Sequence, residues 1–182
     1  MIDIKDNLLQ DDLFNDLKTT MTSDTFPWFY HEGRVDVNDG LPALTHSFYN
    51  NNQVESDFYD ILSNIIEVCN MKSIIRIKAN FDYKNAKSFR TNLHTDVAKP
   101  IEGFKTGIFY LNDNDGKTYF ENGNLVDSVA NRFIKFSQNL EHGTQTHTDT
   151  NYRIVTNFNW YDDNKINPID INNFNWQKGI NT

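Results

Sequence analysis

The chain has 182 residues, a net charge of −8 at neutral pH, 38% hydrophobic and 14% aromatic residues. That length suits one globular domain, 1–182, and the 4 Pro and 8 Gly exclude a collagen-like or Pro-rich disordered chain. The negative balance gives no overall attraction to a polyanion, so nucleic acid is not an expected partner, and the single cysteine, Cys69, excludes an internal disulfide framework.

The N-terminal stretch MIDIKDNLLQDDL is acidic and lacks the charged start and apolar run of a signal peptide. No apolar run approaches the roughly 20 residues that span a bilayer. The expectation is a soluble, reduced, cytoplasmic protein. Leu8, Leu9, Leu13, Phe14 and Leu17 recur at steps of three and four, which predicts a helix over 5–21. The aromatic run from Phe26 to His31 has no period and reads as an irregular or edge segment that buries its rings. A second helix is predicted over 53–71, with Phe58, Ile61, Leu62, Ile65, Ile66 and Cys69 as its apolar stripe. Glu55 and Asp57 fall in its first turn, and Cys69 reads as a core thiol.

Alternation then takes over. Strands are predicted over 73–81, 90–96, 104–111, 117–120, 132–136 and 153–161. The stretches 112–116 and 121–124, rich in Asn, Asp and Gly, are turn signals. The Asn-rich tail, 164–182, reads as surface. Helices first and short strands after predict an α+β chain. Its C-terminal two-thirds is a double-sheet jelly roll with the N-terminal helices packed outside.

Five histidines are present: His31, His46, His94, His142 and His147. His31 and His46 fall in loop-like sequence and are given no role. In His94-Thr95-Asp96, an imidazole and a carboxylate two residues apart on a strand share one face. A second such tripeptide, His147-Thr148-Asp149, lies in the polar run 146–151 and no histidine follows it. Only the first can supply His-x-Asp with a later histidine, His142. Two imidazoles and one carboxylate leave one face of a metal open, as in the facial triad of non-haem Fe(II) oxygenases.

Five further segments follow the first tripeptide in order. They are Thr106 to Asn112, ending in Tyr-Leu-Asn; Asp115 to Phe120; Arg132 to Phe136; Leu140-Glu141-His142-Gly143; and Arg153 to Phe158. Together the six resemble the catalytic core of the Fe(II)/2-oxoglutarate-dependent oxygenases, most closely the prolyl 4-hydroxylase-like branch, over about 74–161. The second departs from the family's Gly-Gly-x-Thr-x-Phe pattern, with Asp115 for the first Gly and Lys117 ahead of Thr118.

The resemblance implies a double-stranded β-helix whose His94, Asp96 and His142 are the catalytic metal ligands for Fe(II). It implies 2-oxoglutarate and O2 as co-substrates, with the far carboxylate of 2-oxoglutarate held by Arg153 and Tyr110. Arg153 suits that task because its planar guanidinium grips a carboxylate bidentately and keeps its charge. The implied reaction hydroxylates an unactivated C–H and releases succinate and CO2, with a peptidyl residue such as proline as the leading substrate. A free small molecule or nucleic acid as substrate, or a non-catalytic metal-binding jelly roll, are the alternatives. Compact relatives of this type belong to bacterial viruses and marine bacteria, which makes a virus-encoded origin one option. Asn159 shares a strand face with Arg153 and approaches the metal if that face turns inward. Arg76 and Lys78 alternate on an earlier strand, either meeting an acidic substrate group or forming a solvated face.

Overall fold

The computed structural model describes residues 1–33, 42–96 and 103–161. The tail predicted as surface lies outside them. In chain order the elements are β1 (Ile2–Lys5), α1 (Asp11–Met21), β2 (Phe29–His31), β3 (Ala43–Asn50), β4 (Gln53–Val54), a 3-10 turn (Tyr59–Leu62) and α2 (Ser63–Val68). Then come β5 (Lys72–Tyr83), β6 (Phe104–Tyr110), β7 (Asn114–Phe120), β8 (Leu125–Ser128), β9 (Arg132–Ser137), β10 (His142–Gln145) and β11 (Tyr152–Tyr161).

The strands form two antiparallel sheets. The larger runs β1-β9-β6-β11-β5-β3-β2, with β4 on β3, and the smaller runs β10-β7-β8. Single bridges from Arg90 to Gln145 and from His94 to His142 extend the outer edge of β10. This is the two-sheet jelly roll expected from the sequence.

The alternation of side chains along the strands divides the core in two. Ile108, Tyr110, Phe120, Ile134, Phe136 and Val155 fill the space between the sheets. On the other face of the large sheet, Ile77, Phe109, Phe158 and Trp160 pack with Leu17, Met21, Leu62 and Ile65 from the helices. Gly107 lies on that face, where an added Cβ would meet the Phe133 ring at 2.3 Å and Trp160 at 2.9 Å. The close packing of those rings on β6 therefore requires glycine there.

Several predicted elements are shifted. The first helix starts at Asp11, because Ile2 to Lys5 pair with Phe136 to Phe133 of β9. The second is reduced to α2 and the preceding turn. Its expected first half is drawn onto β3 instead. Glu55 N–H donates to the Phe48 carbonyl, the Glu55 carboxylate accepts from Ser47 Oγ, and Ser56 Oγ accepts from Phe58 N–H. Local bonding by Ser competes with the helical ladder there. Cys69 is half-buried, and burial pushes its thiol up to about 11, in keeping with an inert core position. The strand expected over 90–96 is absent, with only the two single bridges in its place. His46 lies in β3 and is buried, so its loop reading was wrong.

A candidate metal centre and the inter-sheet pocket behind it

His142 opens β10, and its backbone fixes His94. His94 N–H donates to the His142 carbonyl at 3.0 Å, and His142 N–H returns to the His94 carbonyl at 2.9 Å. This reciprocal pair sets the two imidazoles side by side, with ring centroids 4.7 Å apart. Two residues later Asp96 reaches the large sheet. Asn159 Nδ2 of β11 donates to its Oδ2 at 2.8 Å, and Arg76 Nη2 of β5 lies 3.4 Å from its Oδ1. The convergence of His94 and Asp96 therefore comes from anchors at both ends of a short irregular segment. Strand periodicity, the expected cause, is not what produces it.

One ligand atom from each of His94, Asp96 and His142 lies within 4.8 Å of the others, the one such cluster of three or more found among the described residues. Burial acts to raise the Asp96 carboxyl, but Arg76, the two imidazoles and the Asn159 N–H outweigh it and hold the group well below the usual carboxylate range. Burial pushes His142 down to about 4, against the pull of Asp96. A carboxylate and a neutral imidazole are the forms a metal ligand needs. His142 Nδ1 is buried with no hydrogen-bond partner among the described residues. Two nitrogens and one carboxylate oxygen, with no fourth donor side chain among the described residues, suit a divalent metal with open positions.

Asn159, placed by the sequence on the same face as Arg153, is fully buried and also donates to Thr106 Oγ1 at 3.2 Å. It orients Asp96, a role that only the register of β11 could suggest.

Arg153 stands at the other end of that face, 1% exposed. Its Nε donates to Ser128 Oγ at 2.9 Å, and its Nη1 lies 3.3 Å from Asp82 Oδ2. The guanidinium carbon is 5.7 Å from the centre of the Tyr110 ring. Tyr110 OH shares a 2.6 Å hydrogen bond with Thr118 Oγ1, and burial pushes the phenol up to about 12, so it stays protonated. The structure thus brings Arg153 and Tyr110 together. It also brings in two residues that the sequence reading missed.

The first is Asp82, the backbone partner of Arg153 across β5 and β11 and itself buried. The predicted strand ended one residue short of it. The second is His147, expected in a polar loop but 0% exposed, with neither ring nitrogen hydrogen-bonded among the described residues. A Cβ on Gly116 would lie 3.1 Å from His147 Cβ and 3.2 Å from Arg153 Cδ, so a glycine lets β7 close over both. Asp149 turns the other way and accepts Asp115 N–H with both oxygens at 3.1 Å. The second His-x-Asp tripeptide is therefore split and does not join the metal cluster.

Arg76 and Lys78 lie on the face of β5 that carries Asp82, and neither is fully solvated. Burial, then Arg76, pushes the Lys78 ammonium down to about 8.

No protein-family model matches the chain, and no curated protein matches it. Solved structures do. A 2OG-Fe(II) oxygenase family oxidoreductase from Burkholderia pseudomallei superposes with a TM-score of 0.64 at 11% identity, over 88% of this chain and 84% of that one. The α-ketoglutarate-dependent epimerase SnoN of nogalamycin biosynthesis gives 0.64 at 12% identity, over 88% and 77%. A prolyl hydroxylase from Trichoplax adhaerens, solved with a hypoxia-inducible-factor peptide fragment, gives 0.61 at 14%, over 88% and 83%. At these identities the likeness speaks for architecture, and the chain has the double-stranded β-helix fold of the 2OG-Fe(II) oxygenases.

Proposed function

We propose that the protein is an Fe(II)- and 2-oxoglutarate-dependent dioxygenase, a single domain over 1–182, that hydroxylates an unactivated C–H. His94, Asp96 and His142 hold the metal, and Arg153 and Tyr110 hold the far carboxylate of 2-oxoglutarate. The observation that carries this reading is the pairing of two features in one fold. A three-donor cluster lies at one end of the inter-sheet space, and a buried guanidinium lies on the same strand face behind it.

Fe(II), when bound, supplies open positions for the keto-acid end of 2-oxoglutarate and for O2, with succinate and CO2 as products. The protein's own residues do the positioning. Asn159 and Arg76 fix the carboxylate of Asp96, and the backbone pair between His94 and His142 fixes the angle between the imidazoles. Arg153 is buried beside Tyr110, where a low local dielectric strengthens a charged hydrogen bond. Tyr110, held protonated, donates beside it.

A structural metal is normally saturated by four protein ligands. Three donors among the described residues favour an open site over a non-catalytic jelly roll. As substrate we favour a residue within a peptide, proline first. The sequence resemblance and the Trichoplax adhaerens enzyme solved with its peptide both support that choice. SnoN, an epimerase of nogalamycin biosynthesis, keeps a small molecule as the second reading. Among the described residues no helix is long and apolar enough to cross a membrane.

The test is an anaerobic titration of the Fe(II)-loaded protein with 2-oxoglutarate. A visible metal-to-ligand band saturating at one equivalent is expected. A featureless titration overturns the reading.

A further inference from the structure

On β5 Ile75, Ile77 and Ala79 are buried on one face of the sheet, while Arg76, Lys78, Asn80 and Asp82 alternate onto the other, beside the residues of β11 they pair with. Their backbone partners there are Asn159 for Arg76, Asn157 for Lys78, Val155 for Asn80 and Arg153 for Asp82. Three of the four charges on these two faces are already matched. Arg76 lies against Asp96, and Asp82 lies against Arg153. Lys78 is the exception. It is half-buried, and among the described residues no carboxylate comes within 4.0 Å of it and no hydrogen bond reaches it. Withdrawing an ammonium from water is unfavourable, and the carboxylate that acts on it among the described residues, Asp96, is already held by Arg76, so its position suits a further anion.

The charge balance of the loaded centre points the same way, and here the inference rests on the oxygenase reading. A metal dication, the Asp96 carboxylate and doubly charged 2-oxoglutarate leave one negative charge, which Arg76 offsets. Arg153 and Asp82 cancel. Lys78 remains as one uncompensated positive charge, which a monoanion would neutralise.

The backbone partner of Lys78 on β3 is Ser47, which with Thr45 lines a groove of about 530 Å³ that continues to Phe29 and His31 of β2. Lys78 stands next to that lining across the β3–β5 pairing. Burial, and after it the charge of Lys78, holds the His31 imidazole below its ordinary value. Glu55 and Asp57 line the same groove, but the Glu55 carboxylate accepts from Ser47 Oγ and not from Lys78. Lys78 thus stands beside one end of the groove, next to Ser47, and the groove runs to the exposed ring of Phe29.

We propose that the substrate carries a carboxylate, that Lys78 binds it, and that the rest of the substrate lies along the β3–β2 groove past Thr45 toward Phe29.

Calorimetry on the intact protein separates this from the underlying reading. Anaerobic Fe(II)-loaded protein is first titrated with 2-oxoglutarate, and failure of that step counts against the oxygenase reading itself. Protein saturated with both is then titrated with a panel of N-acetyl-L-amino acids, each paired with its own primary amide. Inorganic phosphate is a separate arm. The best-binding acid is expected to exceed its amide by about tenfold or more, the scale of a charge-assisted hydrogen bond. Lys78→Met should reduce that advantage to less than about twofold, and Lys78→Arg should restore most of it. Acids and amides binding alike across the panel overturns the proposal, as does a full advantage in Lys78→Met. Phosphate binding more tightly than any acid overturns the choice of carboxylate.

Discussion

Asn159 Nδ2 donates to Oδ2 of Asp96 at 2.8 Å, tying the last long strand to the carboxylate of the candidate metal site. The same amide reaches Thr106 Oγ1, so it is held on both sides. Asn159→Ala should weaken Fe(II) binding about ten- to a hundredfold, the usual effect of losing a ligand's hydrogen-bond partner. Asn159→Asp should be no better, because it sets two carboxylates against each other. Competition with a chelator of known affinity reads both, and an unchanged constant in Asn159→Ala would show that Arg76 alone positions Asp96.

Arg153 is assigned to the co-substrate although Asp82 already stands 3.3 Å away. Arg153→Leu should raise the 2-oxoglutarate requirement about ten- to a hundredfold, as loss of a charge-assisted hydrogen bond implies. It also removes the ion-pair partner of the buried Asp82, at a cost of about 3–5 kcal/mol in stability. The double variant Arg153→Leu/Asp82→Asn removes that cost and should keep the weakened affinity. Tyr110→Phe should act in the same direction with a smaller effect. Wild-type affinity in the double variant would mean that another donor holds the carboxylate.

The second His-x-Asp tripeptide offers a contrast. Replacing His147 and Asp149 together with Ala should leave the Fe(II) affinity within about twofold of wild type. Stability should nonetheless fall, by about 2 kcal/mol or more, because His147 is fully buried and its removal opens a cavity against Arg153. Chemical denaturation and metal titration together decide it. Loss of the metal alone would mean that this tripeptide is the true ligand pair.

His46 supplies a pH prediction remote from the metal. Its Nδ1 lies 2.7 Å from the Pro27 carbonyl, which can only accept, so Nδ1 carries the proton. Its Nε2, 2.7 Å from Ser56 Oγ, must then accept from the hydroxyl. Burial pushes the ring below its ordinary value against the pull of the Pro27 carbonyl, so folding favours the neutral form. That contribution is complete above the unfolded value of about 6.5 and is lost as pH falls below it through the lowered folded value. Urea unfolding at pH 7 and pH 5 should show a smaller loss of stability in His46→Gln than in the wild type. Equal losses would remove His46 as a contributor.

The parts of this molecule legible in the sequence are those governed by local period. The alternation around Ile75 and Ile77 marked β5, and the runs at Phe104, Arg132 and Arg153 marked β6, β9 and β11. His142 and the first tripeptide were legible by elimination, since only that pair leaves a histidine downstream. What escaped was set by partners distant in the chain. The pairing of Ile2 with Phe136 turned the start of a predicted helix into β1. The bonds from Ser56 and Glu55 to β3 and its neighbours dissolved half of the second helix. The polar run around His147 gave no sign that this ring is sealed against Arg153, because a glycine three strands earlier, Gly116, makes the room. His94 and Asp96 converge for a reason other than strand period, since anchors at His142 and Asn159 replace the expected strand.

His94, Asp96 and His142 are proposed to form a metal site at which 2-oxoglutarate is consumed. The most direct test is succinate formation from 2-oxoglutarate under air, with Fe(II) supplied, in the wild type and in His94→Ala, Asp96→Ala and His142→Ala. Iron-dependent succinate is expected from the wild type, and a loss of at least about a hundredfold in each variant, with the fold retained by circular dichroism. Wild-type-like succinate from any one of the three, or none from the iron-loaded wild type, would contradict it.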